Sequence, residues 1–334
     1  MANYYFGIDV SKKTLDVALL KDGVLLSSHV IDNDPHSIDV FFAPYAKQFQ
    51  LATDQAWICM EHTGIYNYPL LKSLGESKFH ICVEPALQIK QSQGMTRGKS
   101  DAVDAVRIAQ YAYKNRDSLK VWKPQPVNLH RLKALLSQRD LLIKTKLQLE
   151  VSTKECKGYL DAQLVKDLVS NSKNSLKAID KSIYKVEEKI YAVVKSDKSL
   201  NTLFHRATSV TGIGPITAFN LIVATGAFEQ IKNPKKFACH AGVAPFEHRS
   251  GTAVRGRTRV SKMADMGMKR LLHMAALSAT QCEGELRNYY LRKVADGKNK
   301  MAVLNAVRNK LITRVFVCIN QNRDYQKKYE RALV

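Results

Sequence analysis

Short apolar runs of strand length mark the first third of the chain. Tyr4–Asp9, Leu15–Leu20 and Val24–Ile31 read as three strands, and Lys21-Asp22-Gly23 is a hairpin signal between the second and third. A helical stretch opens at Asp34-Pro35 and runs through Phe49. Ala56–Glu61 reads as a fourth strand, ended by Thr63-Gly64 and followed by a helix from Tyr66 to Leu74. Phe79–Val83 reads as a fifth strand. After Gly94 and Gly98 the pattern predicts a helix over Asp101–Tyr113.

The period then changes. Leu129–Leu149 places Leu132, Leu135, Leu136, Leu142 and Leu149 on a helical stripe. Leu176, Ile183 and Ile190 recur every seven residues, as do Ile179, Val186 and Val193, with charged and small polar residues elsewhere. That spacing predicts a coiled-coil seam, closed either within one chain or between two. Further on, Val210-Thr211-Gly212-Ile213-Gly214-Pro215 separates the helices His205–Ser209 and Ile216–Ala224. Helices are also predicted over Lys269–Ser278, Leu286–Val294 and Lys300–Asn320.

The expectation is therefore an α/β part at 1–122, a helical coiled-coil region at 123–200 and a mainly helical part at 201–334. Three strands followed by alternating helix and strand describe a ribonuclease-H-like domain. The turn with two glycines is of helix-hairpin-helix type. At Gly212 and Gly214 it can present bare backbone N–H groups to a phosphate, or serve as a tight turn and nothing more.

Four acids fall at telling places in this pattern. Asp9 closes the first strand and Glu61 the fourth. Asp101 and Asp104 stand three apart at the start of a helix, on one face of it. Two strand ends and one helix face can converge on a point. Carboxylates gathered there repel one another unless hard cations neutralise them, which predicts a Mg²⁺ (or Mn²⁺) site. Asp101 has a second reading, as an acid stabilising a helix N-terminus. Lys12 and Lys99 lie close in sequence to these acids and are candidate phosphate contacts. His62, adjacent to Glu61 on a strand, points to the other face and reads as structural.

Charge indicates the partner. The 334 residues carry 52 Lys and Arg against 30 Asp and Glu, a formal net charge of +22. Such an excess implies an anionic polymer. No apolar segment approaches the length of a membrane span, so a membrane is not expected as partner. Six scattered cysteines form no CxxC pair, which excludes a zinc motif of that kind and fits a cytoplasmic protein. Basic residues concentrate at Arg249, Arg255, Arg257, Arg259, Lys262, Lys269 and Arg270, with Asp265 the one acid among them. With its glycines, this stretch reads as a flexible basic loop suited to phosphate contact. Ser250 and Ser261 sit inside it; Ser261 also reads as a cap for the helix that follows.

In combination, the motifs GIDVSK, EHTG, KSDAVDA, TGIGPITA, AGVAPFEHRSG and GRTRVSKMADMGMKRLL resemble the insertion-sequence-110 family over almost the full length. These are the DEDD transposases, which include the Piv-type DNA invertases. One departure is visible: a second small or polar residue usually precedes the key serine, and this chain has Arg249. The resemblance implies a RuvC-like N-terminal domain, a coiled-coil linker and a C-terminal transposase domain. It implies that Asp9, Glu61, Asp101 and Asp104 bind Mg²⁺ and that Ser250 is the nucleophile. The implied partners are donor and target DNA, a non-coding bridge RNA, and further copies of the chain as dimers that meet as a tetramer. Two other readings stay open: an RNA-independent invertase of the Piv type with the same residues, and a metal-only Holliday-junction resolvase in which the serine is incidental.

Overall fold

The computed structural model describes residues 3–51, 55–75, 77–94, 100–156, 158–250, 254–261 and 263–326. The chain divides into two compact units, Met1–Pro124 and Gln125–Val334.

The N-terminal unit opens with β1 (Asn3–Val10), β2 (Thr14–Lys21) and β3 (Val24–Asp32), an antiparallel meander. Helix α1 (Pro35–Leu51) leads to β4 (Gln55–Glu61), then a 3₁₀ turn (Gly64–Asn67), α2 (Tyr68–Leu74), β5 (His80–Glu84), α3 (Ala86–Ser92) and α4 (Asp101–Lys114). The sheet order is β3-β2-β1-β4-β5, with β4 and β5 parallel to the central β1. This is the ribonuclease-H-like arrangement that the order of elements predicts. The short α3, directly after Pro85, was not expected.

Both faces of the sheet are covered, which is why its strands read as apolar runs rather than strict alternations. Phe6, Ile8, Leu15, Val17, Ile58 and Met60 pack on one face with Ile38 and Phe42 of α1 and Leu70 of α2. Tyr5, Leu20, Cys59 and Cys82 face the other way and pack with Ile89 of α3 and Ile108, Ala109 and Ala112 of α4.

The C-terminal unit is mainly helical: α5 (Val127–Glu155), α6 (Ala162–Ser196), α7 (Lys198–Ser209), α8 (Pro215–Ala224), α9 (Pro234–His240), α10 (Met266–Gln281), α11 (Glu285–Ala295) and α12 (Lys300–Asn320). One core runs through it, from Leu132 and Ile190 to Phe219, Leu272, Leu311 and Phe316. The long helices α5 and α6 pair antiparallel within the chain. Leu129, Leu132 and Leu136 pack with Val186, Ile190 and Val194, and ion pairs at Arg139–Glu187 (2.7 Å) and Lys146–Asp180 (2.6 Å) continue the contact. The heptad stripe thus has an intrachain partner. No helix among the described residues is long and apolar enough to cross a membrane.

Two local expectations are corrected. The stretch read as a flexible basic loop holds an antiparallel hairpin, β6 (Pro245–Ser250) and β7 (Val254–Val260). Val254, Thr258 and Val260 favour extended backbone, and the register pairs their strand with β6. Ser261 does not cap the following helix. Its hydroxyl accepts from the Met263 N–H (3.1 Å), whereas Asp265 caps α10 by accepting from Met268 N–H (2.9 Å).

Candidate metal centre and nucleic-acid interface

The centre is built from a close helix–strand contact. A Cβ at Gly7 would stand 2.2 Å from the Ala105 carbonyl and 2.2 Å from the Ala109 nitrogen. Only a glycine on β1, facing small residues on α4, permits that approach. Asp9 lies two residues beyond Gly7 on the same face, and Asp101 and Asp104 lie in the turn of α4 just before Ala105. Ser100 starts this helix, its hydroxyl accepting from the Val103 N–H (3.4 Å). Parallel pairing of Ile8 with Met60 brings Glu61, at the end of β4, beside Asp9.

Electrostatics records the convergence. The Asp9 carboxyl is pushed up to about 6, first by burial and then by the carboxylates of Asp101, Asp104, Glu61 and Asp16. Asp101, Asp104 and Glu61 thus lie near enough to Asp9 to act on its charge. Asp16, on β2, was missed. It is the direct cross-strand partner of Asp9, and its carboxyl is raised by burial and by Asp101. The signal that finds it is the hairpin register: with Val10 opposite Leu15, Asp9 must oppose Asp16.

The ends of the strands are fixed from behind. Asn67, buried, donates to the Glu61 carbonyl (2.8 Å) and accepts from the Thr63 N–H (2.7 Å) and hydroxyl (2.9 Å). Asn33 donates to the Ser11 carbonyl (2.8 Å) and the Tyr66 carbonyl (3.0 Å), tying the β1–β2 turn to the 3₁₀ turn. The His62 N–H donates to the Glu84 carbonyl (3.0 Å), and the residue is otherwise exposed. Asp104 pairs with Arg107 at 2.8 Å. Lys12 is exposed in the β1–β2 turn; Lys99 lies outside the described residues.

Among the described residues no three His, Cys, Asp or Glu side chains stand close enough together to enclose a metal ion already. The donor chemistry nevertheless fits a hard divalent cation. It is all carboxylate and half-buried at Asp9, with Asp104 paired to Arg107.

In the C-terminal unit, Ser250 ends β6, with Val254 as its register partner. Arg249 is opposite Arg255, and Phe246 opposite Arg259; Arg257 lies between them on β7. The side chains of Arg249, Ser250, Arg255, Arg257 and Arg259, and all of Gly251 and Lys262, lie outside the described residues. In the α7–α8 turn, a Cβ at Gly212 (φ +97°) would stand 2.6 Å from the Ala279 Cβ, so close packing on α10 accounts for this glycine. Gly214 faces open space and starts α8 with no side-chain cap.

Residues 6–156 match a transposase family model of the DEDD, IS110 type. Residues 204–291 match a second, described as the transposase IS116/IS110/IS902 family. Both parts of the chain thus match domains of IS110/IS116-type transposases. It is 25% identical over 339 residues to a pilin gene-inverting protein of Moraxella bovis, covering 98% of this chain and 99% of the relative. A pilin gene-inverting protein of Moraxella lacunata is 24% identical over 98% of this chain and 99% of its own. A 43.6 kDa protein of insertion element IS110 from Streptomyces coelicolor is 25% identical over 48% of this chain and 38% of its own. Among solved structures, Thermus thermophilus RuvC in complex with a Holliday junction aligns at 16% identity over 36% of this chain and 99% of its own, with a TM-score of 0.26. The chain is thus an enzyme of the DNA-recombining class.

Proposed function

We propose that this transposase cleaves and exchanges DNA strands in a divalent-metal-dependent reaction, through a covalent phosphoserine at Ser250, and that a bridge RNA guides it. The observation that carries the metal reading is the gathering of carboxylates around Asp9. Asp9, Glu61, Asp101 and Asp104 would hold the ion. When bound, Mg²⁺ or Mn²⁺ neutralises these acids and polarises the scissile phosphodiester. The Ser250 oxygen attacks phosphorus and forms an O–P bond. The bond to the sugar oxygen breaks, and that oxygen leaves as a hydroxyl, its proton balancing the one lost by serine. Attack by a hydroxyl of the second strand reverses the sequence and seals the exchanged strands. Arg249, Arg255, Arg257, Arg259 and Lys262, with Lys12 and Lys99, contact phosphates. Backbone N–H groups at Gly212 and Gly214 offer further phosphate contacts in the C-terminal unit. The RNA partner rests on the family resemblance and on the net charge of +22, which suits RNA and DNA backbones alike.

A second reading, an RNA-independent DNA invertase with the same residues in the same roles, is favoured by full-length similarity to the pilin gene-inverting proteins. Strand-transfer assays test both. Asp9→Asn abolishes transfer and leaves nucleic-acid binding intact, and EDTA has the same effect on the wild type. Mass spectrometry of trapped adducts maps the DNA link to Ser250; a link at Ser261 or at a tyrosine overturns the mechanism. RNA that co-purifies and restores activity to nuclease-treated protein supports guidance, and full activity without it supports the second reading.

A further inference from the structure

Arg308 occupies a core position on α12. Leu304, Leu311 and Val315 share its stripe and are buried, and Arg308 itself is 5% exposed. Its guanidinium pairs with no carboxylate among the described residues, and burial alone acts on its charge. Nη2 donates to His273 Nδ1 on α10 (2.6 Å) and Nη1 to Asn305 Oδ1 (3.3 Å), while Nε is buried with no partner among the described residues. Fold stability gives no reason for such a group. A buried cation without an acid opposes folding, and an apolar side chain of similar volume often replaces one without loss.

What the guanidinium does is orient its neighbours. Arginine only donates, so His273 accepts at Nδ1 and carries its hydrogen on Nε2. Burial first, and Arg308 second, hold His273 below its ordinary value, which agrees with a neutral ring. By the same rule the Asn305 oxygen faces Arg308, and this turns the amide nitrogen to the Val243 carbonyl (2.8 Å). Val243, buried, is held from its other side as well: its N–H and that of Ala244 donate to the Ala238 carbonyl (2.8 and 3.0 Å). Pro245 then begins β6, the strand that ends at Ser250. From Val243 to Ser250 the extended chain spans up to about 23 Å. A tilt of about 2–3° at the root therefore moves the far end by about 1 Å, and an error of that size at reacting atoms can cost about 100-fold in rate.

We propose that Arg308 is a positioning residue for strand transfer: through Asn305 it fixes the Val243 carbonyl at the root of the β6–β7 hairpin, and so the place that Ser250 reaches. This rests on the reading of Ser250 as the nucleophile. The forked guanidinium serves His273 and Asn305 at once, joining α10, α12 and the segment before β6, which a single donor could not do.

The test uses the full chain. Arg308→Met keeps the length and removes the charge and the donors. Its urea midpoint should equal or exceed that of the wild type, and its Kd for duplex DNA should be unchanged. Its single-turnover rate of protein–DNA adduct formation should fall by about 10- to 100-fold. Asn305→Ala should slow the reaction likewise, and it covers the case in which Arg308→Met fails to fold. Because the two residues act in series, the double variant should be no slower than the slower single one. In nitrogen NMR spectra of histidine-labelled wild type, His273 should carry its hydrogen on Nε2. A folded Arg308→Met or Asn305→Ala protein that reacts at the wild-type rate overturns the proposal. So do rate losses that add in the double variant, an Arg308→Met loss of rate matched by a loss of DNA affinity, and a wild-type His273 with its hydrogen on Nδ1. Adduct formation by Ser250→Ala overturns the nucleophile reading itself, which the midpoint and the His273 spectrum do not depend on.

Discussion

Gly7 on β1 and Ala109 on α4 meet with no room for a methyl group between them: a Cβ at Gly7 would stand 2.7 Å from the Ala109 Cβ. This contact sets the distance between the strand that ends in Asp9 and the helix that begins with Asp101 and Asp104. Asp9 is raised to about 6, first by burial and then by those two carboxylates among others, so the contact and the electrostatics describe one arrangement from two sides.

Gly7→Ala should therefore damage both stability and the acidic centre. The added methyl meets backbone atoms of α4, which cannot swing aside as a side-chain tip can. A destabilisation of about 3 kcal/mol or more is expected from overpacking, read from the shift of the urea midpoint. Ala109→Gly in the same protein removes only one of the opposing atoms and should rescue little, because the Ala105 carbonyl and the Ala109 nitrogen remain at 2.2 Å. An unchanged midpoint in Gly7→Ala would show that α4 can shift freely over the sheet.

Asn67 shapes the loop after β4. Its side chain answers the Glu61 carbonyl and the Thr63 N–H. Asn67→Ala leaves both without that partner and should cost about 1–3 kcal/mol. Strand-transfer activity should fall further than stability, since Glu61 loses its fixed position, while affinity for duplex DNA stays near wild type. Equal loss of activity and of binding would indicate a general defect of the fold.

How far the sequence discloses this molecule depends on where the information lies. The long elements were legible because burial repeats: Tyr4–Asp9 and Leu15–Leu20 alternate between two cores, and α6 carries its stripe every three or four residues. The partner of that stripe was not legible, since Ile190 would bury as well against a second chain as against Leu132. The β6–β7 hairpin was hidden because arginine and glycine, which strands seldom alternate, occupy β7. Short helices such as α3 and α9 fall below the length at which periodicity speaks. Asp9, Glu61, Asp101 and Asp104 stood out because each closes or opens an element. Asp16 did not, because its neighbourhood arises from strand pairing, a relation that no local pattern in Thr14–Lys21 contains.

Asp197 gives a pH-dependent prediction. It caps α7, accepting from the Leu200 N–H (3.1 Å) and the Ser199 N–H (3.0 Å), and accepts from the Asn128 side chain (3.1 Å). The Leu200 bond first, then Asn128 and Ser199, hold its carboxyl below the ordinary value. A depressed folded pKa stabilises the protein fully above the unfolded value of about 3.9, and that gain is lost as pH falls through the folded value. Asp197→Ala should cost about 1 kcal/mol at neutral pH. The gap between variant and wild type should narrow in urea titrations taken below about pH 4. A gap that stays constant, or widens toward acid, would show that the charged cap contributes nothing.

The β6–β7 hairpin places Arg249 opposite Arg255 in register. Under the proposed function the arginines of this hairpin contact phosphates. Arg255→Ala should leave the stability of the free protein unchanged or slightly raised, yet weaken binding to every DNA sequence alike. Arg257→Ala and Arg259→Ala should behave similarly in binding. For each phosphate contact removed, the slope of log affinity against log salt on duplex DNA should fall by about 0.9. Fluorescence anisotropy across a salt series with two unrelated duplexes measures this. A variant that loses affinity for one duplex and keeps the slope on the other would mean that its arginine reads bases rather than backbone, and the surface would then belong to sequence recognition.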